Sequence, residues 1–204
     1  GIVGEDGPTH HGVFDISFLR CIPNMLICAA LNEAEFRNLL YTAQLGIKAP
    51  LAIRYPRGRG KTLQWKNKMK PIEIGTGTCI SEGDEVAVLS IGTIGTTIIE
   101  LQPELPNNKF AHYDMRFVKP LDHKLLHRIF EKFDCIVTIE DGALIGGFGA
   151  SIIEFASTNN YMNKNILPLG ISDQFVTHGT IQELKEEVGL SKDRIKNFLL
   201  NSTI

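Results

Sequence analysis

The sequence predicts an α/β fold in two units, a short βαβ segment followed by a small domain with a mostly parallel sheet. Three observations carry this. Apolar runs without polar interruption recur between turn residues, the pattern of strands buried on both faces. Between them lie stretches whose apolar residues recur three and four apart, the period of a helix. A basic, glycine-punctuated stretch then separates one such alternation from the next.

In the first 60 residues, Met25 to Leu31 is a continuous apolar run and reads as a strand. Asn32 follows as an N-cap with Glu35 three residues on. Phe36, Leu39, Leu40 and Ala43 then form the apolar stripe of a helix that Gly46 ends. Leu51 to Tyr55, closed by Pro56, is a second strand. Strand, helix, strand makes a βαβ unit with parallel strands.

Arg57 to Lys70 carries Arg57, Arg59, Lys61, Lys66, Lys68 and Lys70 and no acid. Gly58 and Gly60 interrupt it, and it has no apolar period. Residues 61–70 read as a solvated basic linker. A nucleic-acid patch is the weaker alternative, because one aromatic, Trp65, interleaves the charges.

Residues 71–204 contain the elements of a complete small α/β domain. Ile72 to Ile80 and Val86 to Ile91 are expected strands about the turn Glu82-Gly83-Asp84. Thr93 to Leu101 reads as a helix despite its β-branched residues, and Phe110 to Asp114 as a strand. Asp122 caps a helix with Leu125, Leu126, Ile129 and Phe130 on one face. Ile136 to Ile139 is a strand, followed by a glycine-rich turn and a helix from Gly149 to Ser157. Ile166 to Gly170 is the last strand. Two helices close the chain, the second capped by Ser191 and ending in Phe198, Leu199 and Leu200. Strands alternating with helices imply a largely parallel sheet covered on both faces.

Composition excludes several classes. Of 204 residues, 43% are hydrophobic and 22% charged, so a disordered tail, a collagen-like fibre and a coiled coil are out. Lys plus Arg number 21 against 23 Asp plus Glu, without the basic excess of a dedicated nucleic-acid binder. No apolar run nears the roughly 18 residues that span a bilayer. Cys21, Cys28, Cys79 and Cys135 form no C-x-x-C pair, so neither a structural zinc nor a disulfide framework is expected. Their apolar surroundings point instead to buried, reduced thiols in a reducing cytoplasm. The first residue is Gly1, with no Met and no signal peptide ahead of it, so the chain is expected to be a piece of a longer polypeptide.

The densest polar cluster is Glu5-Asp6-Gly7-Pro8-Thr9-His10-His11-Gly12. Gly and Pro make it an irregular loop, where reactive groups gather. A His titrates near neutral pH and suits proton transfer, and Asp6 could orient it or hold a substrate hydroxyl. A polar surface loop without function is the plain alternative. Arg54-Tyr55-Pro56-Arg57-Gly58 closes a strand, where ligands collect in parallel sheets, and Arg offers a planar fork for phosphate or carboxylate. An ordinary surface arginine is its alternative.

Three other signals are discounted. Gly142 to Gly149 follows a strand and opens a helix as a phosphate loop would, but Ile152 stands at the third glycine position. Close strand–helix packing explains those glycines better. His123 and His127 are spaced as helical metal ligands, yet Lys124 stands where H-E-x-x-H needs Glu, so they read as a polar face. Asp173 and His178 flank a late loop and read as a surface turn.

Gly4-Glu5-Asp6-Gly7-Pro8-Thr9-His10 resembles the E-D-G-P-T-H loop of transketolase-like, thiamine-diphosphate-dependent enzymes. Within that group, the stretch from Gly12 to Met25 (GVFDISFLRCIPNM) is similar to the 1-deoxy-D-xylulose-5-phosphate synthases. Arg54 to Gly58, Asp114 to Asp122 and Gly146 to Gly149 agree. So does Ser172-Asp173-Gln174-Phe175 with His178-Gly179, although Ser172 replaces the more usual Pro. The resemblance spans essentially all 204 residues.

It implies the C-terminal part of a pyrimidine-binding domain over 1–60, a linker over 61–70 and a transketolase C-terminal-like domain over 71–204. It implies condensation of pyruvate with D-glyceraldehyde 3-phosphate, with loss of carbon dioxide, to 1-deoxy-D-xylulose 5-phosphate. That product feeds non-mevalonate isoprenoid, thiamine and pyridoxal synthesis. His10 matches the active-site His, Asp6 the loop Asp that binds substrate hydroxyls or orients His10, and Arg57 the clamp on the acceptor phosphate. His11 stands where relatives often have Gln and is given no role.

The family's G-D-G motif with its later Asn, which holds Mg²⁺ and the diphosphate, does not occur in these residues, nor does the cofactor-activating glutamate. The stem strand before the loop is reduced to Ile2-Val3. The expectation is therefore the C-terminal third of a cytoplasmic, homodimeric synthase that uses thiamine diphosphate and Mg²⁺. The fragment itself is expected to bind no cofactor tightly, to turn over nothing, and to engage neither membrane nor nucleic acid. Transketolase itself, a 2-oxo-acid dehydrogenase β subunit and a non-catalytic assembly module are the competing expectations.

Overall fold

The apolar runs form two sheets in this computed structural model, which describes residues 1–60 and 67–202. Linker residues 61–66, Trp65 among them, lie outside the described residues. A short helix, α1 (Asp15–Arg20), precedes the first strand. Its six residues are too few to display a period, which is why the sequence does not announce it. Strands β1 (Leu26–Ala29) and β2 (Leu51–Arg54) pair in parallel across helix α2 (Glu33–Gln44), the βαβ unit expected. Asn32 caps α2 by accepting from the Glu35 backbone N–H at 3.0 Å. The Glu35 carboxylate does not close a capping box on Asn32; it accepts from Leu31 N at 2.7 Å instead. Leu39 is buried, but Leu40 is exposed, so the apolar stripe of α2 is narrower than its sequence implies.

The larger sheet has the order β3-β5-β4-β7-β8. Its strands are β3 (Thr78–Ser81), β4 (Val86–Ser90), β5 (Phe110–Asp114), β7 (Cys135–Ala143) and β8 (Asn165–Ile171). All neighbours run parallel except β3, which lies antiparallel on β5. Helices cover both faces. Along β4, Ala87 and Leu89 face α4 (His123–Lys132) and α5 (Phe148–Thr158), while Val86 and Val88 face α3 (Ile94–Leu101) and α7 (Lys192–Asn201). That alternation is the two-residue period of a strand buried on both sides. Helix α6 (Ile181–Glu187) adds Leu184 to the second layer and is opened by a capping box of Thr180 and Glu183.

Two strand expectations change. The run from Ile72 becomes a strand only at Thr78. Ile72 and Ile74 pack instead against Cys28, Leu39 and Phe117, and Gly75 turns the chain at φ +76°. Strand β6 (Phe117–Lys119), unannounced because three residues show no alternation, crosses to the smaller sheet and pairs antiparallel with β1. The order there is β2-β1-β6, so the second unit completes the sheet of the first. A polar joint sits beside it. Arg116, at φ +55°, donates through Nε to Glu35 at 2.5 Å and lies 3.9 Å from Asp114.

The cysteines also depart from expectation. Cys28 is buried, and burial pushes its thiol up to about 12. Cys21 and Cys79 are exposed because one closes α1 at the surface and the other lies on edge strand β3. His123 and His127 are not simply a polar face: both rings meet the Phe155 ring edge-on, and His127 Nδ1 lies 2.9 Å from the Tyr161 hydroxyl.

Candidate active site

The polar loop ahead of α1 is shaped by its glycines. Gly4 and Gly7 take φ of +98° and +71°, and Gly7 O accepts the backbone N–H groups of His10 at 3.0 Å and His11 at 3.2 Å. Gly7 faces the ring of exposed His178, and its φ is one that residues with a side chain rarely adopt. His11 is buried. Its Nδ1 accepts from Val3 N at 3.0 Å, which leaves the proton on Nε2 to donate to Thr177 O at 3.1 Å. Phe14 and Phe175 stack edge-on at 5.8 Å. The late loop with Asp173 and His178 is exposed, as expected of a turn, yet it also forms the back wall of the histidine loop.

Above the C-terminal ends of β1 and β2 lies a cleft of about 370 Å³. His10, Arg54 and Arg57 line it with Asp15, Asp141 and Thr93, over a floor that includes Ala29, Ala30 and Ile53. His10 Nδ1 lies 3.0 Å from the Thr9 hydroxyl. Arg57 forms a surface ion pair with Asp6. Of the three residues singled out in the sequence, His10 and Arg57 thus share one cleft, and Asp6 joins through Arg57.

Arg54 is differently placed. Its side chain is 9% exposed, with Nε donating to Asp15 at 2.6 Å, Nη1 to Asp141 at 2.9 Å and Nη2 to Gly12 O at 3.0 Å. Burial opposes its charge, but Asp141 and Asp15 outweigh that and keep the guanidinium protonated. Burial likewise favours a neutral Asp141, and Arg54 overrides it, holding the carboxyl well below the usual range. Arg54 is therefore bound within the protein, unlike Arg57. Asp15 and Asp141 were not singled out in the sequence, because no local spacing links them to Arg54.

The glycine-rich turn is closed to ligands. Glu140, 1% exposed, accepts from Phe148 N and Gly149 N, both at 2.8 Å, and so fills the N-terminus of α5 itself. Burial pushes its carboxyl up to about 7. A Cβ on Gly149 would lie 2.7 Å from Thr138 Oγ1, the close strand–helix approach expected there.

Among the described residues no three His, Cys, Asp or Glu converge as metal ligands. Among those residues no helix is long and apolar enough to cross a membrane.

Residues 75–195 match the family model of the transketolase C-terminal domain, and residues 1–62 that of the transketolase pyrimidine-binding domain. The chain is 49% identical over 204 residues to a 1-deoxy-D-xylulose-5-phosphate synthase of Cytophaga hutchinsonii, covering 98% of this chain and 32% of the relative. It is 47% identical over 205 residues to the enzyme of that name from Phocaeicola vulgatus, with the same coverages. The chain thus spans about a third of the length of these curated relatives. Among solved structures it is similar to a split-gene transketolase described as an inactive β4 tetramer. The TM-score is 0.84 at 25% identity, over 96% of this chain and 63% of the other.

Proposed function

The chain belongs to the transketolase family, and from that premise we propose that it is the C-terminal third of a 1-deoxy-D-xylulose-5-phosphate synthase. The complete enzyme joins pyruvate to D-glyceraldehyde 3-phosphate and releases carbon dioxide. The observation that carries this reading is the placement of His10 and Arg57 on one cleft, with Asp6 paired to Arg57. The likeness to the synthases along nearly the whole chain supports it.

Each side chain has a task that its setting permits. Arg57 is 59% exposed, and its planar fork suits the acceptor's phosphate. Its pair with Asp6 is a surface ion pair, worth about 0–1 kcal/mol, so a phosphate dianion displaces it readily. Asp6, released, accepts a hydrogen bond from a substrate hydroxyl. Nδ1 of His10 meets the Thr9 hydroxyl, which leaves Nε2 to exchange a proton with the acceptor carbonyl oxygen. Thiamine diphosphate and Mg²⁺ supply the decarboxylating chemistry and are held by the rest of the polypeptide. We take the complete enzyme to be a cytoplasmic homodimer acting on these small molecules, with no membrane or nucleic-acid partner.

The test is a product assay on the complete polypeptide. Pyruvate and D-glyceraldehyde 3-phosphate should give carbon dioxide and the deoxyxylulose phosphate. His10→Ala should lower kcat by about 10²–10⁴. Arg57→Ala should act mainly on KM for the phosphorylated substrate, by about tenfold or more. Turnover of a ketose phosphate donor in place of pyruvate would make it a transketolase instead. A second reading, a non-catalytic assembly module, draws on the likeness to the inactive β4 tetramer. Absence of either turnover, with Asp6, His10 and Arg57 intact, would favour it.

A further inference from the structure

Arg54 and Asp141 take no part in the roles above, yet they are the most deeply placed charges on the cleft. All three guanidinium nitrogens of Arg54 are engaged, and each holds a different segment. Nε reaches Asp15 at the start of α1, Nη1 reaches Asp141 on β7, and Nη2 reaches the carbonyl of Gly12 at the end of the histidine loop. Its three nitrogens are already spent on two carboxylates and a carbonyl, leaving none for a further anion. A substrate phosphate is therefore not what Arg54 binds. Its ligands are protein groups, and one of them comes from the second unit.

Asp141 lies near the C-terminal end of β7, past its last pairing with β4 and within the irregular register between Ile139 and Ala143. Strand β7 lies inside the larger sheet, between β4 and β8. The same strand end makes a second tie to the loop, as Ala143 N donates to Val13 O at 2.7 Å. Gly12 and Val13 directly follow His10 and His11. Their two carbonyls are thus pinned to β7, one directly and one through Arg54. Buried ion pairs of this kind are strongly coupled, and losing one partner leaves the other charge uncompensated.

We propose that Asp141 is a positioning residue: acting through Arg54, it lets the C-terminal domain set the place of the His10 loop. The domain then contributes to the active site without touching substrate. The proposal rests on the catalytic reading of His10 for its kinetic consequence, and on geometry alone for its structural one.

Asp141→Asn, Asp141→Glu, Arg54→Met and the Asp141→Asn/Arg54→Met pair, made in the complete polypeptide, test this. Amide hydrogen exchange is followed at His10, His11 and Gly12, and kcat and KM are measured alongside. Asp141→Asn keeps the shape and removes the charge. Exchange at positions 10–12 should quicken about tenfold in each single neutral variant, with β4 and β7 unchanged. Each should lose about tenfold in kcat, with KM for the phosphorylated substrate nearly constant, and the pair should lose no more than Arg54→Met alone. Asp141→Glu, which keeps the charge, should retain most of the parent kcat. Should Arg54→Met fail to fold, Asp141→Asn and Asp141→Glu decide between them. Unchanged exchange at 10–12 in Asp141→Asn overturns the proposal, as do additive losses in the pair or a KM effect without a kcat effect. If the parent does not turn over pyruvate with the triose phosphate, the exchange result still decides this proposal, and the functional reading alone fails.

Discussion

Arg54 and Arg57 stand three residues apart in one short motif and meet opposite fates. Arg54 is sealed among Asp15, Asp141 and the Gly12 carbonyl, whereas Arg57 remains at the surface beside Asp6. Pro56 follows the strand and ends its pairing, so the first arginine keeps the strand's inward direction and the second is free of it. The same contrast holds between His10 and His11: one ring lines the cleft, and both nitrogens of the other are spent on Val3 and Thr177. Residue type and spacing made His10, Arg54 and Arg57 legible as candidates and gave His11 no role; which side chains face the cleft depended on partners far along the chain. Gly149 shows how little room such partners leave. A methyl there would lie 2.7 Å from Thr138 Oγ1 and 3.0 Å from Pro168 Cβ. Gly149→Ala should therefore destabilise the fold by about 1–3 kcal/mol in urea denaturation.

At the scale of elements, long periodic segments were read well. Helix α4 begins and ends almost where its cap and stripe predict, and Leu125, Leu126, Ile129 and Phe130 are buried together. Its cap does more than the sequence could say. Asp122 Oδ1 accepts from Leu125 N at 2.9 Å, and Oδ2 accepts from Gly77 N at 3.0 Å, tying the helix to the segment ahead of β3. Asp122→Ala removes both bonds, and a loss of about 2 kcal/mol, the upper end for a cap, is expected in chemical denaturation. Short elements escaped notice. Helix α1 and strand β6 have six and three residues, too few for a period to emerge. The run at Ile72 misled because an isoleucine signals burial without saying against which sheet.

For the molecule as a whole, the joint between the sheets matters most. Asp114 ends β5, is fully buried, and lies beside Glu35 of α2 and Arg116. Burial first, and then the Glu35 charge, push its carboxyl from 3.8 up to about 8. Since the folded state holds this proton more tightly than the unfolded chain, the contribution is fully present below pH 3.8. It is lost as pH rises through about 8. Glu140, raised to about 7 by burial, acts in the same direction. His112 works the other way. Burial lowers it to about 4, so its contribution is lost as pH falls from 6.5 toward 4. Below 6.5 His112 opposes the carboxyls; between 6.5 and 8 the two raised carboxyls act together against the single N-terminal ammonium, which burial lowers. Thermal stability should therefore fall between pH 6.5 and 8, and Asp114→Asn should flatten that fall in melts recorded across the range. An equally steep fall in the variant would remove Asp114 as its source.

The amino-acid sequence by itself determined the α/β class, the βαβ unit, the caps at Asn32, Asp122 and Ser191, and the loop that holds Asp6 and His10. These follow from local chemistry: period, side-chain capping and the backbone freedom of glycine act within a few residues. Tertiary structure alone decided that β6 would complete the first sheet and that Glu140 would fill its own helix N-terminus. It alone placed Asp141 on Arg54, across 87 positions of chain. Such pairings join groups with no sequence relation, because a buried charge must find its counter-charge wherever the packed chain brings one.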